Sequence, residues 1–267
     1  ISNIYIMKFT DILTVTDTNP LFYKFVPMFL VGWKKLFPEV KIHIVLISDI
    51  IIPELIPFSE YIILFSPIKN VQNSFIAQNI GLLYPCLLQS HGGVLVSEVD
   101  TIPMNRNYFV ESIKNIDDDK FVCYRQLQSS ADCVTIFSYN IALPATWRGV
   151  FSIKTENDIV FTIKEILNNN SRYAGHIKNN TQWVTDQMYL YDCVQRWNNN
   201  CKNGGLVILN DKDTNYERLD RGGFHCVETL KNNLLSGHYS DFRMYNPCDE
   251  YENMNEQLIK LLPLTRE

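Results

Sequence analysis

Short apolar runs alternate with segments of helical periodicity through the first hundred residues, and this alternation constrains the fold more than any other feature. The apolar runs at Ile4–Met7, Ile42–Ile47 and Tyr61–Phe65 are each long enough for one buried strand. Between them, Leu21–Leu36 and Ser74–Leu87 carry apolar residues at helical spacing. Strands connected through helices pair in parallel, with helices on both faces of the sheet. The sequence therefore predicts an α/β fold with a mostly parallel central sheet.

The second half of the chain is less regular. It contains three apolar runs that favour strands, at Phe121–Tyr124, Val134–Ser138 and Leu206–Leu209. Three amphipathic segments favour helices, at Ile159–Leu167, Asp186–Trp197 and Leu258–Leu262. The sequence has no internal repeat, low-complexity tract or long linker. We therefore predict a single domain.

Composition and charge limit the partners of the chain. The net charge of -5 and the isoelectric point of about 5.6 give no electrostatic basis for non-specific nucleic-acid binding. No apolar stretch is long enough for a membrane span. The seven cysteines are dispersed and form no C-x-x-C pair, which is typical of reduced thiols in the cytoplasm. The alternative is a Golgi or secretory lumen with an anchor outside these residues, which would suit the glycosylation-type sequences at Asn169 and Asn179.

A pair of carboxylates follows the fourth predicted strand, Val94–Val96, which begins after Gly92 and Gly93. Glu98 and Asp100 stand two residues apart, so in extended backbone their side chains point to the same side. Ligands of α/β proteins bind at the carboxyl ends of parallel strands. Two carboxylates there can share Mg²⁺ or Mn²⁺, which would bridge them to a diphosphate. The alternative interpretation is a solvated turn capped by Asp100.

The segment Leu83–Asp100 resembles the helix, the Gly-Gly pair and the D-x-D strand of GT-A glycosyltransferases. Glu98 is the departure, because it stands where the family pattern has its first Asp. The resemblance implies the GT-A fold over residues 1–267. It also implies a nucleotide-binding half at 1–104 and an acceptor-binding half at 105–267.

The activity that the resemblance implies is sugar transfer from a nucleotide-diphosphate sugar, with UDP as the expected nucleotide, to a glycan or glycoconjugate hydroxyl. Mn²⁺ or Mg²⁺ is the implied cofactor. Asp100 is expected to bind the metal directly, with Glu98 binding it through water or contacting the ribose. In the same family a histidine near the carboxyl terminus often completes the metal site. His238 is preferred here over His225, and each lies in a glycine-bearing segment.

Two loop segments resemble the nucleotide contacts of the family more weakly. Lys8, Phe9 and Thr10 follow the first predicted strand, where the base is expected to bind. Asp49 follows the second predicted strand, where a base- or ribose-binding Asp is expected. Ordinary exits from strand to loop are the alternative interpretation of both.

Asp186 and Gln187 resemble the D-Q pair that opens a helix beside the acceptor in several GT-A families. Trp183 and Tyr189 flank the pair, and aromatic faces suit the apolar faces of sugar rings. The alternative is a simple helix N-cap at Asp186. Asp186 can serve as the general base of an inverting enzyme. The D-Q pair and the Gly-Gly strand are instead similar to those of retaining families, so we expect retention.

Other classes fit the sequence less well. A haloacid-dehalogenase-type phosphatase needs a nucleophilic Asp on its first strand, whereas Glu98 follows the fourth. A dinucleotide-binding dehydrogenase needs a G-x-G-x-x-G motif, which the sequence lacks. A sugar-nucleotide nucleotidyltransferase shares the metal chemistry but usually has a glycine-rich basic loop after its first strand. That class and a catalytically degenerate carbohydrate- or nucleotide-binding protein stay open as alternatives.

Overall fold

The computed structural model describes residues 5–125, 137–169, 185–202, 204–210, 214–221, 232 and 236–262. Its strands are β1 (Phe9–Asp17), β2 (Lys41–Ile47), β3 (Ile62–Phe65), β4 (Gly93–Val96), β5 (Thr101–Pro103), β6 (Phe121–Cys123), β7 (Asn140–Ala142), β8 (Leu206–Ile208), β9 (Glu217–Leu219) and β10 (Tyr239–Arg243). Its α-helices are α1 (Pro20–Tyr23), α2 (Val26–Leu36), α3 (Asn73–Leu83), α4 (Arg106–Glu111), α5 (Pro144–Phe151), α6 (Glu156–Asn169), α7 (Thr185–Asn199) and α8 (Glu252–Lys260). Two 3₁₀ segments occupy Pro53–Tyr61 and Tyr84–Leu87.

Seven strands form the central sheet, in the order β3-β2-β1-β4-β7-β6-β8. The first four pair in parallel, and β6 pairs with β8 in parallel. β7 is antiparallel to both of its neighbours, β4 and β6. The predicted α/β fold with a mostly parallel sheet is therefore confirmed. Strands from the second half of the chain complete the same sheet.

Each face of the central sheet has its own hydrophobic core, because successive residues of a strand point to opposite sides. In β1, Ile12 belongs to the core formed with α2, α4 and α8, and Leu13 to the core formed with α3, α5, α6 and α7. Trp33 is fully buried in the first core and Trp147 in the second. This confirms the prediction of helices on both faces.

A second, smaller sheet has the order β5-β10-β9. β10 runs antiparallel to β5 and parallel to β9. Because β5 begins directly after Asp100, the turn at Glu98–Asp100 connects the two sheets. Residues of β10 are thereby brought next to the end of β4.

The first strand was predicted in the wrong place. The apolar run at Ile4–Met7 precedes β1, which covers Phe9–Asp17 instead. β1 buries polar side chains, and these gave the segment the composition of a loop. Asp11 is one of them, and its carboxylate is 2.7 Å from His43 Nε2 and accepts a 2.5 Å hydrogen bond from Ser90 Oγ. Such internal partners make a polar residue tolerable inside a sheet.

Several other predictions can be compared with the described residues. The predicted helix at Leu21–Leu36 is divided into α1 and α2, and most of the predicted strand at Val134–Ser138 lies outside the described residues. β5, β7, β9 and β10 were not predicted, and neither were α4 and α5. No described helix is both long and apolar enough to cross a membrane.

Candidate functional site

The carboxyl ends of β1 and β4 lie side by side at one edge of the central sheet, because these strands are parallel neighbours. β1 ends in Thr16 and Asp17, and β4 leads into Glu98 and Asp100. All four residues line one pocket. The pocket therefore occupies the position at which α/β sheets bind ligands.

The turn that carries the two carboxylates is held by backbone hydrogen bonds. The Glu98 N–H donates to Ser138 Oγ at 2.9 Å, and the Thr101 N–H donates to the Glu98 carbonyl oxygen at 3.2 Å. The Met244 N–H donates to the Asp100 carbonyl oxygen at 2.8 Å, which ties the turn to the end of β10. The carboxylates are thus presented from a fixed backbone, with Asp100 buried and Glu98 half-buried.

Two arginines pair with these carboxylates. Arg221 Nη1 donates to Asp100 Oδ2 at 2.8 Å, and Arg243 Nε donates to the same oxygen at 3.5 Å. Arg243 Nη2 also lies 3.7 Å from Glu98 Oε1. The negative charge of Glu98 is the main reason that the pKa of Arg243 is raised. Both arginines line the pocket, so its wall combines carboxylates with guanidinium groups.

A buried charge cluster fixes β10 behind the pocket. Asp241 is fully buried and forms ion pairs with Arg125 at 2.8 Å and Arg218 at 2.7 Å. Burial alone would raise the pKa of Asp241, but the two guanidinium groups lower it. Arg243 stands two residues further along the strand and therefore points to the same side. The cluster thus helps to position Arg243 at the pocket.

Asp186 and Gln187 lie in the first turn of α7 and line the same pocket. Asp186 is buried, and its Oδ1 accepts a 2.8 Å hydrogen bond from Gln78 Nε2 of α3. Burial is the largest cause that raises the pKa of Asp186 to about 7, and the negative charge of Glu98 adds to it. The hydrogen bonds from Gln78 and from the Gln187 backbone N–H partly oppose this rise. The carboxyl group can therefore exchange a proton near neutral pH.

The structure thus brings together four of the residues that were predicted from two separate motifs. Glu98 and Asp100 come from the strand-end motif, and Asp186 and Gln187 come from the helix-start motif. Their functional roles stay predictions. Because all four residues line one pocket, a joint role in binding one ligand is chemically consistent.

Lys8, Phe9 and Thr10 lie elsewhere. Phe9 and Thr10 begin β1, at the opposite end of the strand from the pocket. The Phe9 ring packs in the core, with its centroid 6.0 Å from that of Trp33. The base contacts were assigned to this segment because a strand was predicted to end at Met7. Because β1 extends to Asp17, the strand end that faces the pocket is Thr16–Asp17.

Asp49 and His238 also lie outside the pocket. Asp49 follows β2 and is exposed. His238 precedes β10, at the end of that strand opposite to the pocket, and its Nε2 is 3.1 Å from Glu217 Oε2. The expectation that His238 completes a metal site with the carboxylate pair therefore does not hold in this structure. His225 and Trp183 lie outside the described residues.

Several pocket residues were missed in the sequence, among them Gln78, Arg221, Arg243 and Asn246. Arg221 opens the same glycine-bearing segment as His225, and this segment is the signal in the sequence that could have indicated it. Gln78 gave no signal, because a polar residue on one face of an amphipathic helix normally faces solvent. Arg243 and Asn246 belong to β10 and the segment after it, and that strand was not predicted.

The two carboxylates at the turn fit Mn²⁺ or Mg²⁺ by residue type. Mg²⁺ commonly uses one or two protein carboxylates and completes its shell with water and phosphate oxygens. Glu98 and Asp100 are the carboxylates of the turn that could supply such oxygens. Among the described residues, no group of three or more His, Cys, Asp or Glu side chains could hold a metal. The oxygens of Glu98 and Asp100 are engaged by Arg221 and Arg243. A cation would therefore have to compete with the guanidinium groups.

No protein-family model matches the sequence, and a search of curated proteins gives no match either. Among solved structures, the chain is similar to the galactosyltransferase LgtC in complex with donor and acceptor sugar analogs, at 11% identity and a TM-score of 0.49, over 97% of this chain and 98% of that one. It is also similar to the apo form of the glycosyltransferase GlyE in Streptococcus pneumoniae TIGR4, at 12% identity and a TM-score of 0.49, over 94% of this chain and 59% of that one. A third similar structure is S. aureus TarS, at 14% identity and a TM-score of 0.41, over 97% of this chain and 41% of that one.

Proposed function

We propose that the protein transfers a sugar from a nucleotide-diphosphate sugar to an acceptor hydroxyl of a glycan or glycoconjugate. The observation that carries this proposal is the meeting of two motifs in one pocket at the carboxyl edge of a parallel sheet. Glu98 and Asp100 line one part of it, and Asp186 and Gln187 line another. Such a pocket suits a donor whose diphosphate faces the strand end and whose sugar faces the helix start.

The donor would lie along the carboxyl edge of the sheet. Thr16 and Asp17, at the end of β1, are the residues that we assign to the nucleoside side in place of Lys8, Phe9 and Thr10. Their place in the pocket supports this assignment. UDP remains the expected nucleotide from the resemblance. Residues 1–104 then supply most of the donor side.

Glu98 and Asp100 are the residues that would hold Mn²⁺ or Mg²⁺. When bound, such an ion would neutralise charge on the departing diphosphate as a Lewis acid. The backbone hydrogen bonds of the turn support this role, because they hold both carboxylates at one edge of the pocket. The identity of this ion, Mn²⁺ or Mg²⁺, is likewise part of what we propose.

Asp186 and Gln187 are assigned to the reacting sugar and the acceptor. A retaining reaction needs a carbonyl or amide group near the anomeric carbon, and the Gln187 side chain supplies an amide. An inverting reaction needs a base for the acceptor hydroxyl, and the raised pKa of Asp186 suits that role. We retain the expectation of retention from the D-Q pattern. The anomeric configuration of the product, measured by NMR, distinguishes the two reactions.

The test of the proposed function is a transfer assay with purified protein. UDP-, GDP- and TDP-sugars are supplied with Mn²⁺ and a mixture of glycan acceptors, and both the released nucleoside diphosphate and the labelled product are measured. Wild type should form product, and Asp100→Asn should not. Glu39→Gln removes a surface carboxylate that pairs with Arg106, and should have wild-type activity.

Two results would contradict the proposal. Binding of nucleotide sugar without release of nucleoside diphosphate would favour a binding protein. Release of pyrophosphate from a nucleoside triphosphate and a sugar phosphate would favour a nucleotidyltransferase.

The cytoplasmic location remains a prediction from cysteine usage.

A further inference from the structure

Among the described residues, Arg221 and Arg243 are the cationic side chains that line the pocket. Both are held by the carboxylates of the strand-end motif, with Arg221 Nη1 2.8 Å and Arg243 Nε 3.5 Å from Asp100 Oδ2. An arginine can bind a phosphate through two parallel N–H donors, as it binds a carboxylate. The same guanidinium groups therefore have the chemistry to bind either partner.

The charges of the pocket make such an exchange useful. Asp17, Glu98, Asp100 and Asp186 all line it, so an entering diphosphate would meet carboxyl groups on several sides. Guanidinium groups that leave the carboxylates would offset this repulsion at the phosphate oxygens. A cation that binds the carboxylates would favour the same exchange, because it would replace the positive charge that they lose.

The ion pairs are accessible enough to exchange. The side chains of Arg221 and Arg243 are 29% and 27% exposed, so solvent and an entering ligand reach the guanidinium side of each pair, although Asp100 itself is 8% exposed. The buried cluster around Asp241 has the opposite character, because its carboxylate is fully buried between two arginines. The backbone of β10 can therefore stay fixed while the Arg243 side chain changes partner.

We propose that Arg221 and Arg243 bind the diphosphate of the donor, and that Glu98 and Asp100 hold both arginines in the free protein until the diphosphate replaces them. This inference rests on the proposed function, because the diphosphate belongs to the sugar donor. It extends that function by assigning recognition of the leaving group to two residues outside the sequence motifs.

The test is calorimetric titration of UDP and of uridine into the intact protein, in EDTA and in Mn²⁺. Arg243→Gln and Arg221→Gln should each weaken UDP binding about tenfold or more in both conditions, on the scale of one lost charged hydrogen bond. Uridine has no phosphate, so its affinity should not change. Arg106→Gln is the matched control, because Arg106 pairs with Glu39 on the surface away from the pocket.

Asp100→Asn separates this proposal from recognition by metal alone. In EDTA, the variant should bind UDP at least as tightly as wild type, because the guanidinium groups lose their competing carboxylate. Wild-type UDP affinity in both arginine variants would overturn the proposal, as would loss of UDP binding by Asp100→Asn in EDTA. Circular dichroism and the melting temperature establish that each variant is folded.

The outcomes also separate this proposal from the proposed function. If UDP binding depends on the arginines but the wild type transfers no sugar, the arginine site stands and glycosyl transfer fails. If the wild type transfers sugar but both arginine variants bind UDP normally, glycosyl transfer stands and the arginine site fails.

Discussion

Replacing Asp186 with Asn should stabilise the protein and lower its turnover about a hundredfold. Burial raises the pKa of this carboxyl group to about 7 in the folded protein, from 3.8 in the unfolded chain. Below the lower value the group is protonated in both states and has no effect on stability. Between the two values only the unfolded chain ionises, so the free energy of unfolding falls as the pH rises. Above about pH 7 the loss is complete.

The size of the effect follows from the two pKa values. A difference of 7 - 3.8, or 3.2, at about 1.36 kcal/mol per pH unit gives an upper value of about 4 kcal/mol. Asn carries no charge and retains an oxygen for the Gln78 hydrogen bond. At about pH 8 we expect Asp186→Asn to raise the free energy of unfolding by about 2–4 kcal/mol, and at about pH 4 to leave it nearly unchanged.

The assay is urea unfolding of wild type and variant at both pH values, with turnover measured on the same preparations. Turnover should fall about a hundredfold, the scale of a lost acid–base group, with little change in nucleotide affinity. Asp158→Asn is the matched control, since backbone N–H groups of Lys154 and Thr155 lower the pKa of that carboxyl at the start of α6. It should not stabilise the protein. Equal unfolding free energies for wild type and Asp186→Asn at about pH 8, or wild-type turnover, would refute the reasoning.

Three further perturbations test other parts of the site. Gln78→Ala removes a hydrogen bond that lowers the pKa of Asp186, so the acid limb of the pH–rate profile should move to higher pH. An unchanged profile would exclude coupling between Gln78 and Asp186. Asp241→Asn leaves Arg125 and Arg218 without the buried negative charge between them and should cost about 3–5 kcal/mol in urea unfolding. A loss under about 1 kcal/mol would contradict a structural role for the cluster. UDP with Mn²⁺ should raise the melting temperature more than UDP with EDTA. Equal shifts would contradict the proposed role of the cation in nucleotide binding.

The strands β2 and β4 could be predicted because they are mostly apolar on both faces. Both lie between two helical layers, and their apolar runs, Ile44–Ile47 and Val94–Val96, indicate such burial directly. β1 lies between them yet carries Asp11, Thr14 and Asp17, so its composition is that of a loop. The partners that make Asp11 tolerable, His43 and Ser90, are distant in sequence. A pattern of apolar residues cannot reveal such long-range partners.

The two carboxylates of the turn could be predicted from the sequence, but the arginine side chains that pair with them could not. Glu98 and Asp100 follow an apolar strand with a Gly-Gly start, so local sequence places them at the sheet edge. Arg243 reaches the same turn because β10 pairs with β5, and this antiparallel contact connects segments that are far apart in the chain. His238 was chosen because it lies in a glycine-bearing loop near the carboxyl terminus. The direction of β10 places that loop at the far end of the strand.

A crystal structure of the protein with UDP and Mn²⁺ would locate the donor directly. We predict diphosphate density at the turn of Glu98 and Asp100, with phosphate oxygens about 3 Å from the guanidinium groups of Arg221 and Arg243, and the nucleoside toward the end of β1. Nucleotide density at the opposite edge of the sheet, or a pocket that stays empty at saturating UDP, would contradict the proposed site.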